Sequence, residues 1–247
     1  MALLAVILSG CSYGADREES TVPTRETQQV TESSPQSFEE TKEVPVSEDS
    51  ATNYANVKAI WLSQYDLWDV YLHNGSQRPR EDFILRMEEI LTNIRDLGFN
   101  TVFLQVRPNG DSMCPSRYCP MSKYVVGTYG GELEYDPVLL IVKLAKELDL
   151  SIHAWINPMR GMKTAELEAV SPAYAIRQWY DDPQRNGTWL VQWGDYWYLN
   201  PAYQEVRQLI VDGAAELLNQ YAFDGLHMDD YFYPTKEPDF DQRPNSE

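Results

Sequence analysis

Residues 223–234 hold the strongest chemical signal in this sequence, because an apolar stretch of strand length ends there in two adjacent carboxylates, Asp229 and Asp230. Strand side chains alternate between faces, so His227 and Asp229 are predicted to share one face. In a barrel of parallel strands, the carboxyl ends of the strands carry the catalytic groups. Asp229 is therefore a candidate catalytic residue. The alternative is a loop whose carboxylates cap a helix or meet solvent.

The family resemblance described below implies hydrolysis of a glycosidic bond. That reaction needs two carboxyl groups, one ionised and one protonated, on either side of the bond. Asp230 should point away from Asp229 unless the strand has already turned, so it is a candidate catalytic-site residue with an orienting role. Tyr231 is predicted to contact sugar hydroxyls. The second working carboxyl group is expected beyond residue 247.

Repeated strand-then-helix units are expected to position these residues. Apolar periodicity and the positions of Gly and Pro predict strands at 57–62, 101–107, 151–157 and 223–229, and helices at 79–97, at 136–148 and from Asn200-Pro201 onward. Residues 158–199, rich in aromatic and turn residues, are predicted to form an excursion over the mouth of a barrel. Alternating strands and helices indicate parallel βαβ units.

The polar residues of the predicted strands favour a barrel over an open sheet. Gln105 and Arg107 should share one face of the second strand, and His153, Trp155 and Asn157 one face of the third. The opposite faces are apolar, which fits a barrel with a polar mouth better than a doubly wound sheet. No glycine-rich phosphate loop follows a strand, so no dinucleotide cofactor is predicted.

The predicted fold class is α/β, a (β/α)8 TIM-type barrel of which this chain carries about the first four β/α units. Half a barrel would expose two sheet edges and an apolar interior. Residues 57–247 are therefore expected to be the N-terminal part of a longer barrel domain.

Substrate contacts are expected from cations, amides and aromatic rings near the mouth. Arg107, Arg160 and Asn157 are predicted to bind sugar hydroxyls or a carboxylate, and the alternative for them is an ion pair with Asp229 or Asp230. Four aromatic residues are candidate stacking platforms for a sugar ring: Trp61, Trp68, Trp155 and Tyr231. For Trp155, packing in the core is an equally favoured alternative.

Charge and the N-terminal composition restrict the partners and the location. The net charge of -18 argues against a nucleic-acid partner, because phosphate binding needs a basic surface. Residues 12–56 are rich in Glu, Ser, Thr and Pro, which predicts a disordered acidic tether. Residues 1–11 resemble a lipoprotein signal peptide ending in a lipobox whose Cys11 is lipidated. A membrane-anchored protein of the cell envelope is thus expected; the alternative is an apolar segment with an incidental cysteine.

Cys114 and Cys119 lie in a predicted loop. In an exported protein they could form a disulfide or stay as two free thiols. No metal site is predicted, since the histidines lie far from them in sequence and no second cysteine pair exists.

Three segments resemble the glycosyl-hydrolase-like 10 family of bacterial envelope proteins: residues 155–158 (Trp-Ile-Asn-Pro), 198–201 (Tyr-Leu-Asn-Pro) and 223–234. The resemblance runs from about Lys58 to Pro234. It implies an eight-stranded β/α barrel that acts on glycan strands, with those of the cell wall as the candidate substrate.

The resemblance also implies site residues. It places Asp229 and Asp230 in the active site, and it puts along the cleft four polar residues: Gln105, Arg107, Asn157 and Arg160. Residues 224–229 are similar, more loosely, to the fourth-strand motif of the alpha-amylase family, in which the last aspartate is the nucleophile. In family 18 chitinases the acid would fall at Tyr231, which is not a carboxylic acid, so a substrate-assisted mechanism is disfavoured.

The sequence thus predicts a glycoside hydrolase of the cell envelope that needs no cofactor, with Trp61, His227 and Tyr231 among its substrate-binding residues. One alternative is a non-catalytic glycan-binding lipoprotein. Another is a metal-dependent deacetylase, which has weaker support because no second spaced histidine accompanies His227 and Asp229.

Overall fold

The structure is a computed structural model that describes residues 51–237 of the 247-residue chain. The predicted signal peptide, the lipidation site Cys11 and most of the predicted tether lie outside the described residues, as do residues 238–247. Within the described part, no helix is both long enough and apolar enough to cross a membrane.

Strands and helices alternate through the described chain. The strands are β1 (Ala59–Leu62), β2 (Leu72–His73), β3 (Ser76–Gln77), β4 (Thr101–Arg107), β5 (Ser151–Ile156), β6 (Arg160–Lys163), β7 (Leu190–Trp193), β8 (Tyr196–Leu199) and β9 (Gly225–Met228). The helices are α1 (Trp68–Tyr71), α2 (Arg80–Asp96), α3 (Lys123–Val126), α4 (Pro137–Glu147), α5 (Thr164–Glu168), α6 (Ala175–Asp181) and α7 (Gln204–Gln220).

The central sheet has four strands in the order β1-β4-β5-β9, and every neighbouring pair is parallel. Long connections that contain α2, α4 and α7 link these strands, as parallel pairing requires. The predicted α/β class with a parallel sheet is therefore confirmed, and the four strands are the four predicted from the sequence.

One face of this sheet packs against helices. Its apolar side chains are almost fully buried, and they belong to the same core as one stripe of α2: Leu62, Val102, Leu104, Val106, Ile152, Ala154 and Ile156 from the sheet, and Phe83, Met87, Leu91 and Ile94 from α2. Full burial of one such side chain contributes about 1.5–3 kcal/mol. The apolar faces predicted from strand alternation are thus the faces that meet the helices.

Local signals set the helix ends. In α4, Pro137 occupies the first turn and the Asp136 carboxylate accepts a hydrogen bond from the Leu139 amide at 3.1 Å. After α2, Gly98 takes a φ of +86°, which glycine adopts at little cost.

Side chains from the two outer strands meet across the other face of the sheet, which indicates that the sheet curls toward that face. β1 and β9 are its outer strands, so in a flat sheet they would be three strand spacings, roughly 14 Å, apart. Yet the rings of Trp61 on β1 and His227 on β9 have centroids only 4.3 Å apart. The concave side formed in this way is called the inner face below.

The connection from β5 to α7 is an excursion, as predicted, rather than a simple crossover. It contains α5, α6 and an antiparallel sheet in the order β6-β8-β7. Together with α7 it forms a second apolar core, which includes Met162, Leu167, Trp197 and Val206.

Candidate functional site

Asp229 directly follows β9 at the carboxyl end of the central sheet. Its amide donates to the Ile156 carbonyl at 3.1 Å, which extends the pairing of β5 and β9 by one residue. Strand alternation therefore puts the Asp229 side chain on the inner face with that of His227. The half-buried carboxylate accepts a hydrogen bond from the Asp230 amide at 2.7 Å.

The chain turns immediately after Asp229, because Asp230 has a φ of +50°. The turn brings the Asp230 carboxylate to Arg160, whose Nη1 donates to Oδ2 at 3.0 Å. The Arg160 guanidinium also lies over the ring of Tyr196, 4.7 Å from its centroid. Burial alone would lower the pKa of Arg160, but the hydrogen bond and charge of Asp230 raise it. Arg160 and Asp230 thus form the ion pair that was the alternative interpretation of Arg160.

Aromatic rings line the inner face beneath Asp229. The Trp61 ring contacts those of Phe103, Trp155 and His227, with centroids 4.9, 4.8 and 4.3 Å away. His227 stacks on Phe103 at 4.8 Å with an interplanar angle of 24°. We call these four residues the aromatic floor. Within the described residues Trp61 is 43% exposed, whereas Trp155, the other predicted stacking ring on this face, is buried.

Asn157 and Gln105 lie close to the floor but are buried, which gives them positioning roles. Asn157 accepts a hydrogen bond from the Trp155 indole at 3.0 Å and donates to the Pro108 carbonyl at 3.1 Å, so it fixes the Trp155 ring. Gln105 accepts from the Gln64 amide at 3.2 Å and holds the loop after β1. The structure places both residues at the carboxyl ends of their strands, as predicted.

The predicted position of Arg107 is corrected by the structure. The pairing of β4 with β5 shifts register between Gln105 and Arg107, so two residues of β4 face one of β5 and the alternation reverses. Arg107 therefore points toward α7. There its Nη2 donates to the Glu216 carboxylate at 3.0 Å, and both side chains are less than a tenth exposed. Arg107 is not on the inner face with Asp229.

Asp224, the first carboxylate of the motif, lies at the other end of β9 and is structural. Its side chain is fully buried, accepts a hydrogen bond from the Ile152 amide at 2.8 Å, and pairs with Lys146. This is the amino end of the strand, away from the inner-face residues that follow.

Tyr231 is 58% exposed beyond the turn, with Phe232 next to it at a ring distance of 5.7 Å. A small open cleft lies between this segment and the excursion. Its lining is mostly apolar and includes Met159, Tyr198, Phe232 and Tyr233. Tyr196 and Tyr198 were missed by sequence reasoning, because they become part of the site only when the excursion folds back on Arg160.

The predicted disulfide is not formed, since Cys114 and Cys119 are both free thiols. Cys114 is buried in the main core with its Sγ 3.4 Å from the Ser112 hydroxyl, whereas Cys119 borders a separate cleft beside Tyr118 and Arg107. Burial raises the pKa of the Cys114 thiol to about 12, so this thiol is unreactive at neutral pH.

Asp111 is a buried carboxyl group that the sequence did not single out. Burial raises its pKa to about 6, and hydrogen bonds from Ser122 and from the Asn109 amide only partly offset this effect. Since the pKa is higher in the folded state, ionisation of Asp111 destabilises the fold. The penalty is small near pH 4 and complete above about pH 6.

We expect Asp111→Asn to raise the free energy of unfolding more at pH 7.5 than at pH 4.5, by about 2 kcal/mol, because asparagine cannot ionise. Urea unfolding of both proteins at both pH values measures this difference. Asp195→Asn, at a carboxylate with 81% of its side chain exposed, is the control and should show no such difference. An equal effect of Asp111→Asn at the two pH values would contradict the prediction.

Among residues 51–237, no group of three or more His, Cys, Asp or Glu side chains is arranged to hold a metal ion.

In β/α barrels the catalytic groups lie at the carboxyl ends of the parallel strands, which is where this sheet carries Asp229. The family model described as Glycosyl hydrolase-like 10 matches residues 56–247, and this chain belongs to that family.

Two relatives illustrate the similarity. Over 190 residues the chain is 34% identical to Glycosyl hydrolase YngK of Bacillus subtilis (strain 168), covering 76% of this chain and 35% of that protein. Over 197 residues it is 30% identical to Glycosyl hydrolase DigH of Escherichia coli (strain K12), covering 74% of this chain and 43% of that protein. The chain thus spans less than half the length of these relatives.

Solved structures with a similar chain course include two carbohydrate-active proteins. One is the maltogenic alpha-amylase AmyB from Thermotoga neapolitana, 16% identical, with a TM-score of 0.42 over 70% of this chain and 40% of that chain. The other is the PgaB (BpsB) glycoside hydrolase domain from Bordetella bronchiseptica, 15% identical, with a TM-score of 0.41 over 70% of this chain and 44% of that chain.

Proposed function

We propose that this protein is a glycoside hydrolase that cleaves a bacterial cell-envelope polysaccharide, with peptidoglycan glycan strands as the candidate substrate. The observation that carries the proposal is the position of Asp229, whose carboxylate follows β9 on the same face as the aromatic floor. A sugar ring stacked on Trp61 would lie beside a carboxyl group able to act as nucleophile, acid or base. Membership of the Glycosyl hydrolase-like 10 family supports this assignment.

We further propose that the central sheet is part of a (β/α)8 barrel, with residues 57–247 as its N-terminal part. The curl of the sheet supports closure, because rings on the two outer strands touch across the inner face. The share of the relatives that the chain covers, 35% and 43%, is in keeping with a longer domain.

In this mechanism Asp229 is one of two carboxyl groups, and the second lies in the remainder of the barrel, about 5–10 Å from Asp229. The Arg160–Asp230 ion pair orients the turn that presents Asp229, and Asn157 keeps the Trp155 ring in place. His227 and Trp61 contact the sugar from below, and Tyr231 contacts it from the exposed side. Lipidation at Cys11 and a tether at residues 12–56 would anchor the enzyme to the envelope membrane.

The test is incubation of the complete protein with purified peptidoglycan glycan strands, followed by mass spectrometry of the products. Shortened strands with new reducing ends are expected. Sedimentation of the protein with the strands without any shortening would instead favour the non-catalytic glycan-binding lipoprotein.

A further inference from the structure

Two exposed aromatic rings lie on the loop after β1. This loop and Asp229 both lie at the carboxyl ends of the parallel strands. Tyr65 is 64% exposed and Trp68, the first residue of α1, is 40% exposed. Both rings meet the ring of Tyr124 nearly at right angles, with centroids 5.8 and 4.9 Å away. Tyr124 is only 6% exposed, so one buried ring supports two exposed ones.

Several contacts fix Tyr124. It lies in α3, where the Ser122 side chain accepts a hydrogen bond from the Tyr124 amide at 3.3 Å. The Lys123 ammonium lies over the Tyr124 ring, 5.4 Å from its centroid. The same ammonium pairs with Glu166 of the excursion. Because the support is already ordered, a ligand that binds the exposed rings loses little affinity to side-chain ordering.

The loop that carries Tyr65 and Trp68 is joined to the candidate site. The Gln64 amide donates to Gln105 at 3.2 Å, and Gln105 follows Phe103 of the aromatic floor on the same face of β4. Trp61 of the floor lies on β1, the strand from which the loop leaves. A ligand bound to the aromatic floor can therefore extend to Tyr65 and Trp68 along the carboxyl ends of the strands.

We propose that Tyr65 and Trp68 form a second sugar-binding platform, which holds a unit of the polysaccharide that is remote from the bond cleaved at Asp229. This inference rests on the proposed function and adds an extended, chain-like substrate to it. Asp229 follows β9, whereas the platform lies on the loop after β1, so a ligand that contacts both must extend across the inner face. The platform suits uncharged sugar faces, since its nearby cation, Lys123, is already paired with Glu166.

Calorimetric titration with chitohexaose and chitobiose, oligomers of N-acetylglucosamine, tests the platform. The complete protein carries Asp229→Asn as a background, so that no ligand is hydrolysed. Adding Trp68→Ala should weaken chitohexaose binding about tenfold, or 1.4 kcal/mol, and leave chitobiose binding unchanged. Trp68→Phe keeps a ring at the position and should retain most of the affinity.

The matched control is Tyr54→Ala. The Tyr54 hydroxyl donates to the Asp149 carbonyl just before β5, at the amino end of the strands, so its loss should leave both affinities unchanged. An unchanged chitohexaose affinity in Trp68→Ala, equal losses for both oligomers, or no binding of chitohexaose by the background protein would overturn the proposal. Failure of the proposed hydrolysis would be seen separately, as intact strands with wild-type protein.

Discussion

Asparagine at position 229 is expected to lower kcat on purified glycan strands about 10²- to 10⁴-fold and to change the free energy of unfolding by less than about 0.5 kcal/mol. The amide oxygen of asparagine can still accept the hydrogen bond from the Asp230 amide, so the turn after β9 is kept. What is lost is a group that can ionise, donate a proton or attack the sugar. Product formation by mass spectrometry and urea unfolding measure the two quantities.

Asp230→Asn is the comparison within the same turn. It weakens the pair with Arg160, which is partly exposed, so a smaller loss of activity is expected than for Asp229→Asn. Undiminished turnover in Asp229→Asn would remove Asp229 from the catalytic role. A loss in Asp230→Asn as large as that in Asp229→Asn would mean that orientation of the turn, and not the Asp229 carboxylate, limits the reaction.

Strand alternation predicted the two faces of the sheet well, because it depends only on local geometry. The apolar residues of β4 and β5 pack on helices, and Trp155 and His227 lie on the inner face. Alternation failed for Arg107 because a single extra residue before it reverses the faces, and a bulge depends on the pairing of two strands.

The aromatic floor could not be derived from the sequence, since it depends on how far the sheet curls. Trp61 and His227 are 166 positions apart in the chain and meet only because their strands close toward each other. The contact of Arg160 with Tyr196 is likewise a result of the folded excursion.

The sequence nevertheless contained a signal for the buried contact between Arg107 and α7. The buried stripe of α7 contains Val206, Gly213 and Leu217, and Glu216 falls on the same stripe. A buried carboxylate needs a cationic or hydrogen-bonding partner. Because Gly213 has no side chain, the Arg107 guanidinium can occupy the space beside it, where an added Cβ would lie only 2.2 Å from the guanidinium. Glycine and glutamate together on an apolar stripe therefore indicated a cation entering from the sheet.

Glu216→Leu is expected to destabilise the protein by about 3–5 kcal/mol, because it leaves the Arg107 charge buried without its partner. Glu216 also accepts from the Ser116 hydroxyl and from the Arg117 amide at 2.9 Å, so the loop after β4 loses its attachment to α7 as well. Urea unfolding measures the loss. The exposed Lys163–Asp195 pair, with N and O 3.6 Å apart, is the matched control, and Asp195→Ala should cost less than about 1 kcal/mol.

The double variant Arg107→Met/Glu216→Leu separates the cost of an unpaired charge from that of lost packing. With both charges replaced by apolar side chains of similar size, most of the stability lost in Glu216→Leu should return. If the double variant were as unstable as Glu216→Leu, the loss would come from the missing contacts of Glu216 with Ser116 and Arg117. If Glu216→Leu alone were as stable as wild type, Arg107 would have found another partner, and the pair would not be what holds the end of β4 to α7.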